Sequence, residues 1–474
     1  MASGGEKYAG ALLPRRSLLA VVLALAALAA LAPAGAGAAK PKPGTLTQLQ
    51  GKQGCIVDRS SKPGSCASGR GLKGPGPFMG SRAVAVSPDG RNVYVASATS
   101  NAIAIFQRDP KSGALTQPKG VGGCVAVGGK EGCRKVGAFN GPNSVAVSPD
   151  GRNVYATARN SSTLLAFTRN PKTGYLRPIP GFACSAGVAI PACMPANGLI
   201  GPDVVIVSPD GRNVYAGAFF GSAVVAFSRD PSTGVLTQLA GTAGCVAAAT
   251  AGCATGIGIS AIEGLAISPD GANVYAAAAA SNAITELARD PSSGALTQLP
   301  APNPCLYIEP TTGKCTGAVQ LGGPNAVAVA PGGANVYVTS FLSNSVTAFD
   351  RTAGSGVLRQ KEKTNACLVF LRSVGCSFGR AMEAPEGLDV SPDGKNVYIA
   401  SIETGAIDVL SRNETGAVRQ LAGATGCLAR KQVQGCTPAR AVAGVSSVAV
   451  SPDGRNVYAT ANESNAIDVF RRNR

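Results

Sequence analysis

The chain has 474 residues, 43 Lys and Arg against 26 Asp and Glu, a formal net charge of +17, and neither His nor Trp. Without His, a Ser-His-Asp or Cys-His catalytic pair, a His-ligated haem and an H-E-x-x-H zinc helix are all excluded. Fourteen Cys in a Gly-rich, basic chain point to a disulfide-bonded protein of an oxidising compartment.

Residues 1–39 read as a signal peptide. Arg15-Arg16 precedes an apolar run from Leu18 to Leu31, then Pro33 and Ala36-Gly37-Ala38, which fits the small-residue cleavage rule. The run is short for a bilayer span of about 20 residues. Arg15-Arg16-Ser17-Leu18-Leu19 also fits a twin-arginine signal. The protein is expected to be secreted, periplasmic or in the cell envelope, monomeric, and not membrane-spanning after signal cleavage.

Residues 40–474 read as a single domain built on one repeat. Ser87-Pro88-Asp89-Gly90-Arg91-Asn92-Val93-Tyr94 returns at Ser148, Ser208, Ser268, Ser391 and Ser451. A worn copy, Ala330-Pro331-Gly332-Gly333-Ala334-Asn335-Val336-Tyr337, fills the gap, and the steps are 61, 60, 60, 62, 61 and 60 residues. A fixed period of this size marks units that cannot bury their own faces and must stack as one body.

Within a unit, Ala83-Val84-Ala85-Val86 is a short strand and Ser87-Pro88-Asp89-Gly90 a turn: Pro presets φ, Asp bonds nearby backbone and Gly takes positive φ. Strands follow at Val93-Tyr94-Val95-Ala96, at Ala102-Ile103-Ala104-Ile105-Phe106 and at Ala114-Leu115-Thr116-Gln117, with turn residues between them. Four antiparallel strands in each of seven copies give an all-β, seven-bladed β-propeller. The last copy ends after its third strand, Ala466-Ile467-Asp468-Val469-Phe470. Its fourth is expected at the other end of the chain, where Gly44-Thr45-Leu46-Thr47-Gln48-Leu49 matches Gly234-Val235-Leu236-Thr237-Gln238-Leu239. The N-terminal strand would then complete the last blade and cover an open sheet edge.

The cysteines keep the same beat, one pair in each long loop between a fourth strand and the next first strand. The expected bridges are Cys55–Cys66, Cys124–Cys133, Cys184–Cys193, Cys245–Cys253, Cys305–Cys315, Cys367–Cys376 and Cys427–Cys436. Zinc would want tighter C-x₂₋₄-C spacing, so no metal and no cofactor is expected. Closing such a loop contributes about 2.5–3 kcal/mol in the chain-entropy account.

The phrase running from Ser87-Pro88-Asp89-Gly90 through Asn101-Ala102-Ile103-Ala104-Ile105-Phe106 to Ala114-Leu115-Thr116-Gln117 resembles YVTN-type and lactonase-type seven-bladed propellers over nearly all of residues 44–474. The resemblance implies a gluconolactonase-like hydrolase in one branch and surface or binding proteins in others. The lactonase branch carries a Pro-His pair before the first strand of a blade. Here those places read Gly141-Pro142-Asn143, Gly201-Pro202-Asp203, Gly323-Pro324-Asn325 and Ala384-Pro385-Glu386, without His.

Internal comparison of the copies separates scaffold from candidate site. The Asn and Tyr of Asn-Val-Tyr stand in every copy, as in Asn92 and Tyr94, and are read as packing. Five residues before each turn the copies diverge: Arg82, Asn143, Asp203, Glu263, Asn325, Glu386 and Ser446. These would ring one mouth of the central channel, beside variable loops bearing Arg159, Phe219, Phe220, Phe341, Glu403 and Glu463. Asp203, Glu263 and Glu386 are the candidate catalytic acids; the ring with Arg159, Phe219 and Phe341 is the candidate site for a small polar ligand.

An Arg ends every third strand: Arg108, Arg169, Arg229, Arg289, Arg351, Arg412 and Arg472. With Arg91, Arg152, Arg212, Lys395 and Arg455 these are expected to form a basic face able to hold an anionic envelope polymer; nucleic acid is not an expected partner. The expected role is a binding or scaffold protein outside the cytoplasm. The alternatives are a lactonase-type hydrolase without the usual His and an adhesin working through the basic face.

Overall fold

In the computed structural model, residues 42–474 are described except 77–81, 181, 183, 309–313 and 372. The signal-peptide reading lies outside the described residues. Among the described residues no helix is long and apolar enough to cross a membrane.

The turn chemistry of the repeat is realised directly. Gly90 takes φ +67°, its amide donates to the Ser87 carbonyl at 2.8 Å, and Asp89 Oδ1 accepts from the Ser87 hydroxyl at 2.6 Å and the Arg91 amide at 3.1 Å. The chain reverses there and the strands on either side pair. In the second blade Pro142–Val147 pairs with Asn153–Ala158, and that strand pairs with Thr163–Arg169. Seven such sheets form, one per repeat.

The fourth rank differs in detail from a single short strand. Leu176–Pro178 covers one half of Thr163–Arg169, and Cys184–Ala186 covers the other half. Met194–Pro195 then adds in parallel to Cys184–Ala186. The first Cys of the pair therefore lies in the fourth rank, and the second precedes a short outer strand. All seven bridges form within their own loops as the spacing predicts, and no free Cys remains among the described residues.

The ring closes as expected. Leu46–Gln48 pairs antiparallel with Ala466–Arg472, and Cys55–Asp58 continues along the same edge. N-terminal chain thus supplies the outer ranks of the last blade.

The core lies between blades. Tyr94, Ile103 and Ile105 of the first blade pack with Val145, Val154 and Ala156 of the second. Near the axis the blades approach so closely that a Cβ on Gly264 would meet the Asn325 carbonyl oxygen at 2.6 Å, and one on Gly387 the Ser446 carbonyl oxygen at 2.6 Å.

The third-strand arginines do not form the expected basic face. Six of them, from Arg108 to Arg472, are only 4–7% exposed. Each reaches back to the preceding blade. Arg169 Nε donates to the Tyr94 hydroxyl at 3.0 Å, one Nη to Asp89 at 2.8 Å and to Asn92 Oδ1 at 2.6 Å, and the other Nη to the carbonyl of Gly151 at 2.9 Å. Tyr94 donates in turn to the Gly174 carbonyl at 2.9 Å. The Arg–Tyr contact recurs in all seven blades. The physical reason is solvation: a guanidinium at a blade contact satisfies its fork on four acceptors and so belongs to the scaffold. Arg108 accordingly pairs with Asp453 of the last blade at 2.7 Å rather than with its neighbour Asp109. Arg91, Arg152, Arg212, Lys395 and Arg455 do remain exposed.

A second link ties the outer edges. Gln117 accepts from the Arg70 amide at 2.8 Å and donates to the Arg70 carbonyl at 2.9 Å, joining the first blade to the outer strand of the last. Gln48, Gln238, Gln298, Gln360 and Gln420 do the same; the second blade carries Pro178 at this place.

Candidate functional site

The diverging residues occupy a local irregularity. Register jumps between Pro142 and Ser144, Pro202 and Val204, Ile262 and Gly264, Pro324 and Ala326, Pro385 and Leu388, and Val445 and Ser447. Asn143, Asp203, Glu263, Asn325, Glu386 and Ser446 each fall inside such a bulge. A bulge re-aims its residue out of the sheet's alternation, and here it turns the side chain into the contact with neighbouring blades. Asn143 Nδ2 donates to the Asp203 carbonyl and carboxylate, both at 3.3 Å, and Asn325 Nδ2 to the Pro385 carbonyl at 3.0 Å. Thr339 donates to Asn325 Oδ1 and to the Glu386 carbonyl, both at 2.7 Å.

The next-blade hold on these bulges comes from the loop between second and third strands. Asn101, Asn282, Asn344 and Asn465 adopt left-handed backbone, and their side-chain oxygens accept from Gly141, Gly323, Ala384 and Gly74 amides at 2.6–2.8 Å. Asn tolerates this conformation better than most residues.

The ring is therefore a buried girdle and not a solvated mouth. Asn143, Asp203, Glu263, Asn325, Glu386 and Ser446 are all 0–2% exposed. Asp203 is paired with Arg159 at 2.8 Å, and the Arg159 guanidinium lies 4.1 Å from the Phe219 ring centre and 4.9 Å from that of Phe220. Sequence candidates Asn143, Asp203, Arg159 and Phe219 are thus one cluster. Phe341 takes the place of Arg159 in its own blade and is half-buried. Glu403 and Glu463 are exposed.

Burial shapes the acids. It raises Asp203 to about 7 against the opposing charge and hydrogen bond of Arg159. Burial and the nearby Asp203 charge raise Glu263 to about 8. Burial, with Glu263 and Glu403, raises Glu386 well above the usual carboxylate range. One oxygen each of Glu263 and Glu386, and Asn143 Oδ1, are buried without a protein partner. Among the described residues no group of three or more acidic or Cys side chains is placed to hold a metal ion.

Beyond the girdle, the inner strands enclose an axial cavity of about 220 Å³. Its walls are the small and apolar residues of six blades, with Arg82 and Asp389 as the only charged side chains among the described residues. Arg82, at the girdle's place in the first blade, faces this cavity instead of joining the other six. Asp389 was not among the sequence candidates. Its Oδ1 accepts from the Val390 amide at 2.9 Å and its Oδ2 from the Val450 amide at 2.8 Å. Burial raises its pKa, opposed by the Val450 hydrogen bond and the Arg82 charge. The signal was present in the repeat: the other copies hold Ala85, Ala146, Ile206, Ala266, Ala328 and Ala449 at this place.

The disulfide hairpins do not cover the axis. Each pairs with the far side of its blade's third strand, at the outer edge of the sheet.

Residues 129–250 match the family model described as lactonase, 7-bladed beta-propeller. No curated protein matches the chain by sequence. Among solved structures, the periplasmic gluconolactonase of Pseudomonas aeruginosa aligns at 18% identity and TM-score 0.52, over 80% of this chain and 92% of that one. A Bacteroides fragilis protein provisionally assigned as a 6-phosphogluconolactonase aligns at 16% identity and TM-score 0.53, over 80% and 90%. Hydrazine synthase of Kuenenia stuttgartiensis aligns at 19% identity and TM-score 0.50, over 83% and 96%. The chain is thus similar in fold to lactonase-type propellers, as its repeats imply, and the same fold also carries unrelated chemistry.

Proposed function

We propose that this is an exported, disulfide-stapled propeller that binds a small polar ligand in its axial cavity, between Arg82 and Asp389. The observation that carries the reading is the presence of one cation and one carboxylate, the only charges among the described residues of the wall, in a cavity otherwise lined by small and apolar residues. Convergent polar groups in an otherwise apolar concavity are the usual signature of a ligand site, and about 220 Å³ is below the roughly 300–1,000 Å³ of drug-sized pockets. A hydroxy acid or sugar acid suits it: its carboxylate meets Arg82 and its hydroxyls donate to Asp389. Seven local disulfides support a site of action outside the cytoplasm. Calorimetric titration of the mature protein with D-gluconate and smaller hydroxy acids tests this. Heat of binding that is lost in both Arg82→Met and Asp389→Asn supports the reading, and binding untouched by either change rejects it.

A second reading is favoured by the family match over residues 129–250: lactone hydrolysis without His. The buried Asp203, Glu263 and Glu386 are sealed from a substrate by the blades. Asp389 is the carboxylate on the cavity wall. In this reading it takes a proton from water as the water oxygen attacks the lactone carbonyl, and Arg82 faces the developing oxyanion. As the carbonyl re-forms and the bond to the ring oxygen breaks, Asp389 returns that proton to the ring oxygen, which leaves as the hydroxyl of the acid. Acid release from glucono-δ-lactone above the spontaneous rate, abolished by Asp389→Asn, is the expected result. A rate equal to the spontaneous one rejects it.

A further inference from the structure

The worn repeat leaves one blade contact different from the other six. In those six, a third-strand Arg meets an Asp of the preceding blade at 2.7–2.8 Å: Arg108–Asp453, Arg169–Asp89, Arg229–Asp150, Arg289–Asp210, Arg351–Asp270 and Arg472–Asp393. In the seventh, Gly332 stands where the Asp would be. The Arg side is nonetheless set up in the same way. Arg412 Nε donates to the Tyr337 hydroxyl at 2.7 Å, one Nη to the Gly394 carbonyl at 3.1 Å and the other to Asn335 Oδ1 at 2.5 Å. The Nη that bonds Asn335 is the one that carries the Asp contact in the other copies.

A second donor points to the same place. In the six complete copies, the amide two residues after the Asp donates to its carboxylate at 3.0–3.2 Å. By register that amide here belongs to Ala334. The space is open: a Cβ on Gly332 would meet nothing within 4 Å, and Arg412 is half-buried where its six counterparts are buried. The carboxylate of Asp350 lies in this blade too, but it accepts from Asn335 Nδ2 at 2.9 Å and from Lys361 Nζ at 2.5 Å.

We propose that the notch between Gly332 and Arg412 binds a carboxylate, which takes the place an Asp side chain holds in the other six blades. It would accept one hydrogen bond from the Arg412 guanidinium and one from the Ala334 amide. A charge-assisted pair of this kind is directional and selects a planar anion. The site lies at a blade contact on the turn face, away from the axial cavity, and stands independently of the ligand reading above.

The test is thermal unfolding of the mature protein in sodium acetate against sodium chloride at equal ionic strength. Ligand that binds only the folded state raises the midpoint, and at a few times a dissociation constant the rise is about 1–2 °C for a chain of this size. Wild type and Gly332→Ala are expected to respond to acetate. Gly332→Asp is expected to melt higher in chloride and to lose the acetate response, because its own carboxylate fills the notch. Equal responses in wild type and Gly332→Asp, or none in wild type, overturn the proposal. A blocked peptide with one internal Asp distinguishes the source: a response at lower concentration than acetate points to a partner's side chain, and a weaker one to a free small carboxylate.

Discussion

Arg472 holds Tyr398 of the preceding blade, its Nε 2.8 Å from the phenol oxygen, and that phenol donates at 2.8 Å to the carbonyl of Gly44. One tyrosine therefore touches both ends of the domain: the last strand of the chain and the residue that opens the closing strand. The Tyr of the other six Asn-Val-Tyr copies make the same two contacts, but with residues close in sequence on one continuous stretch of the next blade. Closure of the ring is thus built from the same latch as every other blade contact, with a chain break at its centre.

Tyr398→Phe keeps the packing and removes the hydroxyl from two partners. It is expected to cost about 1–3 kcal/mol, since the buried Arg472 Nε loses its acceptor. Removal of residues 44–49 is expected to do more, exposing a sheet edge and driving association. Urea unfolding and size-exclusion chromatography check both; a truncated protein that stays monomeric with an unchanged midpoint contradicts the closure.

The latch predicts unequal costs at equivalent places. Arg229→Met breaks contacts to Tyr155, Asn153, Gly211 and Asp150. Arg412→Met breaks the same set without the carboxylate. The first is expected to cost about 3–5 kcal/mol and the second about 1–2 kcal/mol, measured by chemical denaturation. Equal costs would show that the Asp adds nothing to the blade contact.

Each cysteine bonds its partner eight to eleven residues away in sequence. Peptide mapping without reductant is expected to find seven local crosslinks and no link between blades.

The girdle predicts a direction for pH. Asp203 and Glu263 have folded-state values of about 7 and about 8, above those of the unfolded chain. The folded state therefore binds more protons than the unfolded state at these two groups from about pH 4 upward, so their contribution makes stability fall as pH rises to about 8. The latch acids act at lower pH. Burial opposes ionisation of Asp89, but Ser87 and Arg169 hold its pKa below the usual carboxylate range, so its contribution is lost as pH falls through that lowered value. Thermal midpoints between pH 4 and 9 should slope downward in wild type and less steeply in Asp203→Asn with Glu263→Gln, where the buried Glu286, Glu386, Asp408 and Asp468, also raised by burial, keep the remaining slope. An upward slope between pH 5 and 8 contradicts the burial of these acids.

Fold was legible because the repeat writes turns and strands in local chemistry. Ser-Pro-Asp-Gly sets each reversal, and Gly44-Thr45-Leu46-Thr47-Gln48-Leu49 announces closure by matching a strand elsewhere. The roles of the charged residues were less legible, because they depend on what the next blade brings. Arg169 reads as a surface charge beside Asn170, but its partners Tyr94 and Asp89 lie 75 and 80 residues away in the chain, more than a full repeat. The ring residues were found as the points of divergence, yet the bulge that buries them leaves no mark in the sequence. Asp389 was hidden differently: one acid among apolar residues is visible only when every strand position is compared, not just the most divergent one.

In the proposed reading Arg82 and Asp389 hold the ligand while the girdle acids serve the scaffold. The most direct measurement is thermal shift with D-gluconate on four proteins: wild type, Arg82→Met, Asp389→Asn and Glu263→Gln. Stabilisation is expected for wild type and Glu263→Gln, and none for Arg82→Met or Asp389→Asn. Stabilisation that survives in Asp389→Asn but vanishes in Glu263→Gln would place the site in the girdle and contradict it.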